Sequence, residues 1–318
     1  MVSRRNAMTQ AGLAMVGTVL GNRAIGKSSA NTASNAAAKP FVYCLNTATI
    51  RGQKLGLLKE IDVAAKAGYD AIEPWVDGIQ KYVESGGTPA ELKKRIADSG
   101  LTVESAIGFP EWIADDDTRR AKGMERAKRE MDLVSQIGGK RFAAPPAGAT
   151  DLPKLDLWKA SERYRALLEA GDQTGVAPQL ELWGFSKNLN RLGECICVAM
   201  ETGHPRASVL ADVYHLHKGG SEFHGAKLLG PSAIQVLHMN DFPADPPREK
   251  IDDSYRIYPG DGVAPLPEIL RVLHETGGQK ILSLELFNRK YWEQDALSVA
   301  KTGLAKMKDA AAKAVVDI

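Results

Sequence analysis

The sequence predicts an α/β protein that folds as a single (β/α)8 barrel, or TIM barrel. Short β-rich runs recur about every 25 to 45 residues from residue 41 onward, and stretches with helical spacing separate them. Such alternation is typical of parallel strands joined by crossover helices. There are eight such runs, the number that closes a barrel, and the roughly 270 residues that contain them fit one barrel of ordinary size.

Eight strands are predicted in chain order, and each is a short run bounded by turn residues or by a helical pattern. They span residues 41–46, 71–74, 102–107, 141–145, 179–183, 208–214, 233–240 and 280–287. We expect residues 40–318 to form the barrel, as one domain.

Amphipathic helices are predicted between the strands, where apolar residues recur at helical spacing. They span residues 55–67, 89–99, 118–137, 157–174, 189–201, 265–275 and 294–312, and the segment 221–229 is the weakest helix prediction. Gly68 and Gly138 directly follow two of these helices, at the position where a left-handed residue ends a helix. A doubly wound open sheet is the alternative fold, but no G-x-G-x-x-G follows the first strand.

Composition excludes several classes of protein. A chain of 318 residues with 44% hydrophobic and 25% charged residues is an ordinary globular protein, not a disordered tail, a collagen-like fibre or a small disulfide knot. Cys44, Cys195 and Cys197 are too few for a disulfide framework, so we interpret them as packing residues. The longest apolar run, 11–20, is shorter than the roughly 18 residues that span a bilayer. We expect a soluble mature protein without stable membrane association.

The first 39 residues have the pattern of an export signal. Arg4 and Arg5 precede the weakly apolar run 11–20, and small residues between 28 and 38 offer cleavage sites. This pattern resembles a twin-arginine signal, which exports proteins already folded. We therefore predict a signal peptide and small-residue linker over residues 1–39 and a periplasmic location. A disordered basic start is the alternative.

The charge of the chain argues against two kinds of partner. Residues 1–39 contain five of the 41 Lys and Arg residues and no Asp or Glu, so the remainder has a formal net charge of −3. A mildly acidic body offers no basic surface for nucleic acid or anionic lipid. We expect a small-molecule partner and no nucleic acid, and homo-oligomerisation stays open.

Four consecutive strands end in ionisable residues, at the end of a barrel where enzymes carry their chemistry. These residues are Glu181, Asp212, His238 and Glu285, and each interrupts an apolar run. A single buried carboxylate or histidine could be satisfied by neighbouring hydrogen bonds, but four at equivalent positions predict one cluster. Three carboxylates and one imidazole suit one divalent cation, with Mn2+ or Mg2+ ahead of Co2+ or Zn2+.

These residues and their neighbours also resemble a known family. The segments Glu181-Leu-Trp, Asp212-Val-Tyr-His215, His238-Met-Asn-Asp241 and Leu284-Glu285-Leu-Phe, in this order, resemble the sugar phosphate isomerase/epimerase superfamily of xylose isomerase-like barrels. Residues 251–262 and 282–291 are similar to inosose (2-keto-myo-inositol) isomerases. The resemblance implies that the four clustered residues hold one divalent ion and that His215 reaches the substrate.

The predicted activity is a metal-dependent isomerisation or epimerisation of a keto-sugar or ketocyclitol through an enediolate. The reaction removes a weakly acidic C–H proton, so it needs a Lewis acid at the carbonyl and a base beside the substrate. Glu181 and Glu285 lie on strands three apart around the barrel, and we predict that they serve both as ligands and as the acid/base pair.

Four residues are predicted to contact the substrate: His215, Arg256, Trp75 and Glu73. His215 follows Asp212 by three residues and would donate to a substrate oxygen, or alternatively orient Asp212. Arg256 lies in the long loop 242–264, which we expect to cover the barrel mouth, and its substrate contact follows from the family pattern. Trp75 would form an apolar wall beside a sugar ring, or alternatively pack in the core.

Two other functions remain open at this point. A dehydratase or lyase would use the same metal site and expel a β-oxygen from a keto-sugar or ketoglycoside. An exported carbohydrate-binding barrel without catalytic activity would keep the aromatic walls but would not need two glutamates at a metal. A metal-dependent endonuclease would need more histidine ligands and a basic groove, and the acidic body with six histidines speaks against it.

Overall fold

The computed structural model of the protein describes residues 40–315. The predicted signal peptide and linker, 1–39, lie outside the described residues. The described part of the chain contains eight parallel strands: β1 Phe41–Asn46, β2 Ala71–Glu73, β3 Thr102–Val103, β4 Arg141–Ala144, β5 Ala177–Glu181, β6 Val209–Asp212, β7 Ile234–Met239 and β8 Lys280–Leu284. Their number and order along the chain confirm the prediction.

The strands form one curved sheet in the order β3-β2-β1-β8-β7-β6-β5-β4. Ala106, just beyond the short strand β3, connects the two edges of this sheet. Its N–H donates to the carbonyl of Arg141, 3.1 Å away, and its carbonyl accepts from the N–H of Ala143 at 2.9 Å. The sheet is therefore closed into the predicted barrel through one residue outside the regular strands.

Ten α-helices accompany the strands within residues 40–315. They are α1 Leu57–Ala67, α2 Val76–Glu84, α3 Pro89–Asp98, α4 Asp117–Gln136, α5 Leu157–Thr174, α6 Leu192–Glu201, α7 Val213–Gly219, α8 Leu266–Glu275, α9 Arg289–Trp292 and α10 Ala296–Val315, and short 3-10 turns span Thr47–Gln53, His224–Leu228 and Asp253–Tyr255. No helix among these residues is long and apolar enough to cross a membrane.

Most helix predictions are confirmed to within a few residues, and the helix ends follow simple chemistry. Thr88 caps α3 and exchanges hydrogen bonds with Glu91 in a capping box. Gly68 and Gly138 have φ values of 92° and 85°, in the left-handed region expected just after a helix. The segment 221–229 forms only the 3-10 turn His224–Leu228.

Several predicted strand bounds differ from the structure, and one helix was missed. Strand 208–214 ends at Asp212 because the Asp212 carboxylate accepts the N–H of His215 and starts α7. Strand 102–107 is regular only over Thr102–Val103. Helix α2 was not predicted, since its nine residues lie in what the sequence suggested was a connection.

The barrel interior is layered, which decides where the functional side chains lie. A small apolar cluster contains one inward-facing residue from most of the strands: Cys44, Ala71, Ala143, Leu210, Val236 and Ile281, joined by Ile107. Side chains two residues apart on a strand face the same side. The next inward positions toward the carboxyl ends are Asn46, Glu73, Asp212, His238 and Ser283, all completely buried. A polar layer therefore lies directly on the apolar one.

Candidate metal centre

Three predicted ligands meet in the polar layer. Asp212, His238 and Glu285 each offer a ligand atom, and these atoms lie within 4.8 Å of one another. All three side chains are buried. They come from β6, β7 and the residue that follows β8, and the register of the parallel strands pairs Asp212 with His238.

His238 has one ring nitrogen engaged and one open. Its Nε2 lies 3.1 Å from Glu73 Oε2 and donates to that carboxylate. Its Nδ1 lies 3.1 Å from Glu285 Oε2 and 3.6 Å from Asp212 Oδ2 but forms no hydrogen bond. A histidine that gives its N–H to a carboxylate has its other nitrogen free as an electron-pair donor, the usual arrangement of a metal-ligating imidazole.

Glu73 lies behind His238 and has no exposed surface. Its Oε2 accepts hydrogen bonds from Ser283 Oγ at 2.6 Å, Asn46 Nδ2 at 2.9 Å and His238 Nε2. Burial acts to raise the pKa of Glu73, but His238 and these hydrogen bonds outweigh it, so the pKa lies below its usual range. The structure shows Glu73 Oε2 as the partner of His238, and the substrate contact predicted for Glu73 stays a prediction.

Asp212 combines two tasks in one carboxylate. Its Oδ1 caps α7 by accepting the N–H of His215 at 2.9 Å, and its Oδ2 accepts Arg256 Nη1 at 2.8 Å. Burial acts to raise the pKa of Asp212, but Arg256, then His215 and His238, hold it well below its usual range. The side chain is thus an anion fixed at the mouth of the barrel.

Arg256 reaches the cluster from the long loop after β7 and contacts two of the predicted ligands, and its substrate contact stays a prediction. Its Nη1 donates to both Asp212 Oδ2 and Glu285 Oε2, at 2.8 and 2.7 Å, and its Nη2 donates to Asp253 at 2.6 Å. Nη2 also lies 3.1 Å from Nε2 of His215, whose Nδ1 has no partner. Burial acts to lower the pKa of His215, and it lies below its usual value despite the nearby Asp212.

Asp241 anchors the loop that carries Arg256. Its carboxylate accepts four backbone N–H groups at 2.8 to 3.0 Å, and its backbone pairs with Ile257 in both directions. One of these donors is Gly262, where a Cβ would lie 2.2 Å from the carbonyl of Phe242. Only glycine fits this close approach, so the loop has a defined path across the barrel mouth.

Glu181 lies near Asp212, His238 and Glu285 but is not one of the three residues whose ligand atoms meet. It is buried at the end of β5, and its Oε2 has no hydrogen-bond partner. Burial raises the pKa of Glu181 to about 8, and the carboxylates of Glu285 and Asp212 contribute to the increase. The carboxylate therefore shares an electrostatic environment with the other predicted ligands, although it is too far from at least one of them to complete the 4.8 Å set.

The donor set fits a divalent cation. Unpartnered buried polar atoms are uncommon because each one costs free energy, and here Glu181 Oε2 and His238 Nδ1 are both unpartnered beside a pair of carboxylates. Carboxylate and imidazole donors are ligands for Mg2+, Mn2+ and Zn2+. Asp212, His238 and Glu285 could hold such an ion, and Glu181 could join them through its open oxygen.

Aromatic side chains surround the mouth of the barrel. Trp75 packs edge-on against Phe109 at 5.1 Å and Phe287 at 6.1 Å between ring centroids, and Phe109 continues to Trp183 at 5.8 Å. The indole N–H of Trp75 donates to Asn46 Oδ1 at 3.0 Å. Trp75 therefore lies at the mouth, as predicted, and one hydrogen bond connects it to the polar layer.

Sequence reasoning missed two members of the polar layer. Asn46 donates to both Glu73 and Glu285, and Ser283 donates to Glu73. Each is a polar residue at an inward position of a strand, which is the signal that could have found them. Neither is ionisable, so a search for charged ligands passes over them.

Fold and site together define a (β/α)8 barrel with a carboxylate and imidazole centre at the carboxyl ends of its strands. Residues 61–310 match the family model described as Xylose isomerase-like TIM barrel. The chain belongs to this family.

Curated relatives of the chain are enzymes. An inosose isomerase of Halalkalibacterium halodurans is 26% identical over 273 residues, which is 81% of this chain and 92% of that protein. A 3-dehydroshikimate dehydratase of Pseudomonas putida is 24% identical over 79% of this chain and 39% of that protein. Among solved structures, the IOLI protein with a binding zinc atom aligns with a TM-score of 0.80 and 21% identity, covering 86% of this chain and 99% of that one.

Proposed function

We propose that the protein is a divalent-metal-dependent isomerase or epimerase that acts on a keto-sugar or ketocyclitol through an enediolate. The observation that carries the proposal is the buried group of Asp212, His238 and Glu285 with its open nitrogen on His238. The similarity to an inosose isomerase over 81% of the chain supports a cyclic polyol ketone as the substrate class. Mn2+ or Mg2+ is the proposed ion, with Co2+ and Zn2+ as alternatives.

A bound divalent cation would supply Lewis-acid stabilisation of the negative charge that develops on the substrate oxygens. Asp212, His238, Glu285 and Glu181 are the residues proposed to hold it. Glu73 fixes His238 by accepting its Nε2 proton, which keeps Nδ1 free. Glu73 is therefore proposed as a positioning residue for His238.

Proton movement is assigned to the two glutamates. Glu285 Oε1 accepts from the amide of Asn46 and its Oε2 from Arg256, so its orientation is fixed from two sides. Glu181 approaches from β5, and its Oε2 is free of protein partners. One carboxylate can take the C–H proton while the other returns one, and His215 and Arg256 donate to substrate oxygens. Trp75 forms an apolar wall beside the ring.

A dehydratase acting on a keto-sugar or ketoglycoside is the second candidate. The Pseudomonas putida relative, a 3-dehydroshikimate dehydratase, favours it. Removal of the proton beside a carbonyl is common to both reactions, and they differ in whether a β-oxygen then leaves. The products therefore separate the two candidates.

Export by the twin-arginine route, with a periplasmic mature protein, is proposed from the sequence of residues 1–39 alone. Fusing these residues to a folded reporter and locating it in cells with and without the twin-arginine translocase tests this proposal. Reporter in the periplasm of cells that lack the translocase would contradict it.

The function is tested by NMR in deuterium oxide with Mn2+-loaded protein and a panel of ketoses, ketoglycosides and inososes. The expected result is incorporation of deuterium beside the carbonyl of at least one substrate, loss of incorporation on chelation, and recovery with Mn2+. Glu285→Gln should abolish incorporation, whereas Glu169→Gln on the exposed face of α5 should not. Incorporation at the wild-type rate in Glu285→Gln would remove Glu285 from the mechanism, and a product that has lost water would favour the dehydratase.

A further inference from the structure

A cavity lies beside the metal centre on the side of β1 and β2. It has a volume of about 600 Å³, within the range of small-molecule sites. Its walls come from the segments that follow these two strands, including Thr47, Arg51, Lys59 and Trp75. None of the four proposed metal ligands lines it. The cavity is thus a neighbour of the metal centre and a separate space.

Trp75 and the start of the segment after β1 connect the two spaces. Asn46 bonds to Glu73 and Glu285 in the polar layer, and the residue that follows it, Thr47, lines the cavity. The indole of Trp75 donates to Asn46 and also lines the cavity. Trp75 and the Asn46–Thr47 segment therefore form a wall that the polar layer and the cavity share.

The side chain of Arg51 lines this cavity and can bind an anion there. Its guanidinium carbon lies 4.2 Å from the centroid of the Trp75 ring, a cation–π distance. Within residues 40–315 the side chain of Arg51 donates no hydrogen bond to the protein, although it is a group with five N–H donors. Stacking leaves the N–H donors in the plane of the guanidinium available. Two of these donors side by side match the two oxygens of a carboxylate or phosphate.

The other charged side chains that line the cavity add to the positive charge of Arg51. Lys54 and Lys59 line the cavity and, among the described residues, have no carboxylate within ion-pair distance. Asp77 is neutralised by Lys81 at 3.0 Å. Glu60 is the remaining acid, and burial, followed by the effect of Asp77, raises its pKa to about 7, so it is partly uncharged near neutrality. The cavity therefore has a net positive charge.

We propose that this cavity binds an anionic substituent of the substrate, a carboxylate or a phosphate monoester, while the reacting ring lies at the metal centre. Arg51 is the specificity-determining residue, and Lys54 and Lys59 add to the attraction. The inference rests on the proposed function for the position of the reacting ring. It narrows the substrate class from keto-sugars and ketocyclitols in general to those that carry an acidic group.

Binding of three probes that share one ring tests the proposal: D-glucuronate, D-glucose 6-phosphate and D-glucose, titrated by ligand-observed NMR into the full protein with and without Mn2+. At least one acid is expected to bind roughly tenfold or more tightly than glucose, the size of one charge-assisted hydrogen bond. Tighter binding of glucuronate identifies a carboxylate site, and tighter binding of glucose 6-phosphate identifies a phosphate site.

Arg51→Gln should remove this preference, and Lys59→Gln should reduce it. Arg51→Lys, which keeps the charge but loses the planar fork, should retain only part of it. Lys94→Gln, on the exposed surface of α3, is the matched control and should leave the preference unchanged. Thermal unfolding of each variant confirms that the fold is retained.

Equal affinity for the three probes, absence of binding by both acids, or a preference that survives both Arg51→Gln and Lys59→Gln would overturn the inference. A different result would show that the proposed function, rather than the anion site, is wrong. A protein that binds no divalent cation and exchanges no substrate proton, yet still prefers the acids through Arg51, would contradict the metal-dependent reaction and leave the anion site in place.

Discussion

The two ends of the barrel both bury charged side chains, but in residues 40–315 the carboxyl-terminal end leaves several polar atoms of these side chains without a hydrogen-bond partner. At the amino-terminal end, Glu104 accepts Lys140 Nζ at 2.5 Å, Thr102 Oγ1 at 2.9 Å and Arg141 Nη1 at 3.0 Å. Lys280 donates to two backbone carbonyls at 2.9 Å each. These groups are satisfied by the protein itself.

At the carboxyl-terminal end, several buried polar atoms have no hydrogen-bond partner. Glu181 Oε2, Glu73 Oε1 and the Nδ1 atoms of His215 and His238 are buried without a hydrogen-bond partner. Burial of polar groups costs free energy at both ends. At the amino-terminal end, the base of the barrel, hydrogen bonds within the protein offset this cost. Incomplete hydrogen bonding, rather than buried charge as such, therefore distinguishes a ligand site from a structural network. Four predictions test it.

The largest expected effect is on metal binding at the mouth. His238→Gln removes the imidazole donor, and we expect affinity for Mn2+ to fall by roughly a thousandfold and substrate proton exchange to be lost with it. Calorimetric titration with Mn2+ measures the affinity. Unfolding free energy without metal is measured in parallel, because His238 also lies within ion-pair distance of Glu73 and Glu285 and its loss affects the metal-free protein as well. Unchanged Mn2+ affinity would remove His238 from the centre.

The reciprocal change is at the base. Glu104→Gln leaves Arg141, which is largely buried, without its carboxylate, and we expect a loss of about 3 kcal/mol of unfolding free energy. Chemical denaturation measures this loss, and Mn2+ affinity should stay at the wild-type value. A variant that lost metal affinity but kept its stability would reverse the roles that we assign to the two ends.

The third prediction concerns the oxygen that fixes His238. Glu73→Gln weakens the bond to Nε2 and no longer selects the tautomer with a free Nδ1, so Mn2+ affinity should fall by about 10- to 100-fold. The control is Ser283→Ala, which removes another donor to the same oxygen and should have a smaller effect. If Glu73 bound substrate instead, its loss would raise KM while metal affinity stayed constant.

The smallest effect is the dependence of stability on pH at the base. Burial acts to raise the pKa of Glu104, but the hydrogen bonds from Lys140 and Thr102 outweigh it, so its pKa is lower in the folded protein than in the unfolded chain. The unfolded state then binds more protons, and stability rises with pH through this range. The stability difference between wild type and Glu104→Gln should be complete above about pH 5 and shrink as the pH falls. A difference independent of pH would contradict this account.

Much of the fold could be predicted because its signals are local. The alternation of strand and helix fixes the number and order of the strands, and seven of the ten helices were expected near their observed positions. Helix α2 escaped because it is short and directly follows β2. The predicted strand 102–107 includes Ala106, which closes the barrel, but the regular strand β3 covers only Thr102–Val103.

The sequence alone determined the end of the barrel at which the candidate site lies and three residues that meet there, Asp212, His238 and Glu285, because inward positions follow the two-residue period of each strand. Tertiary structure decided what each side chain touches. Asn46 and Glu285 are 239 residues apart in the chain, and Glu73 and His238 are 165 apart. Contacts over such separations depend on strand register and on the path of loops, so Glu73 became the partner of an imidazole and Arg51 came to lie on Trp75.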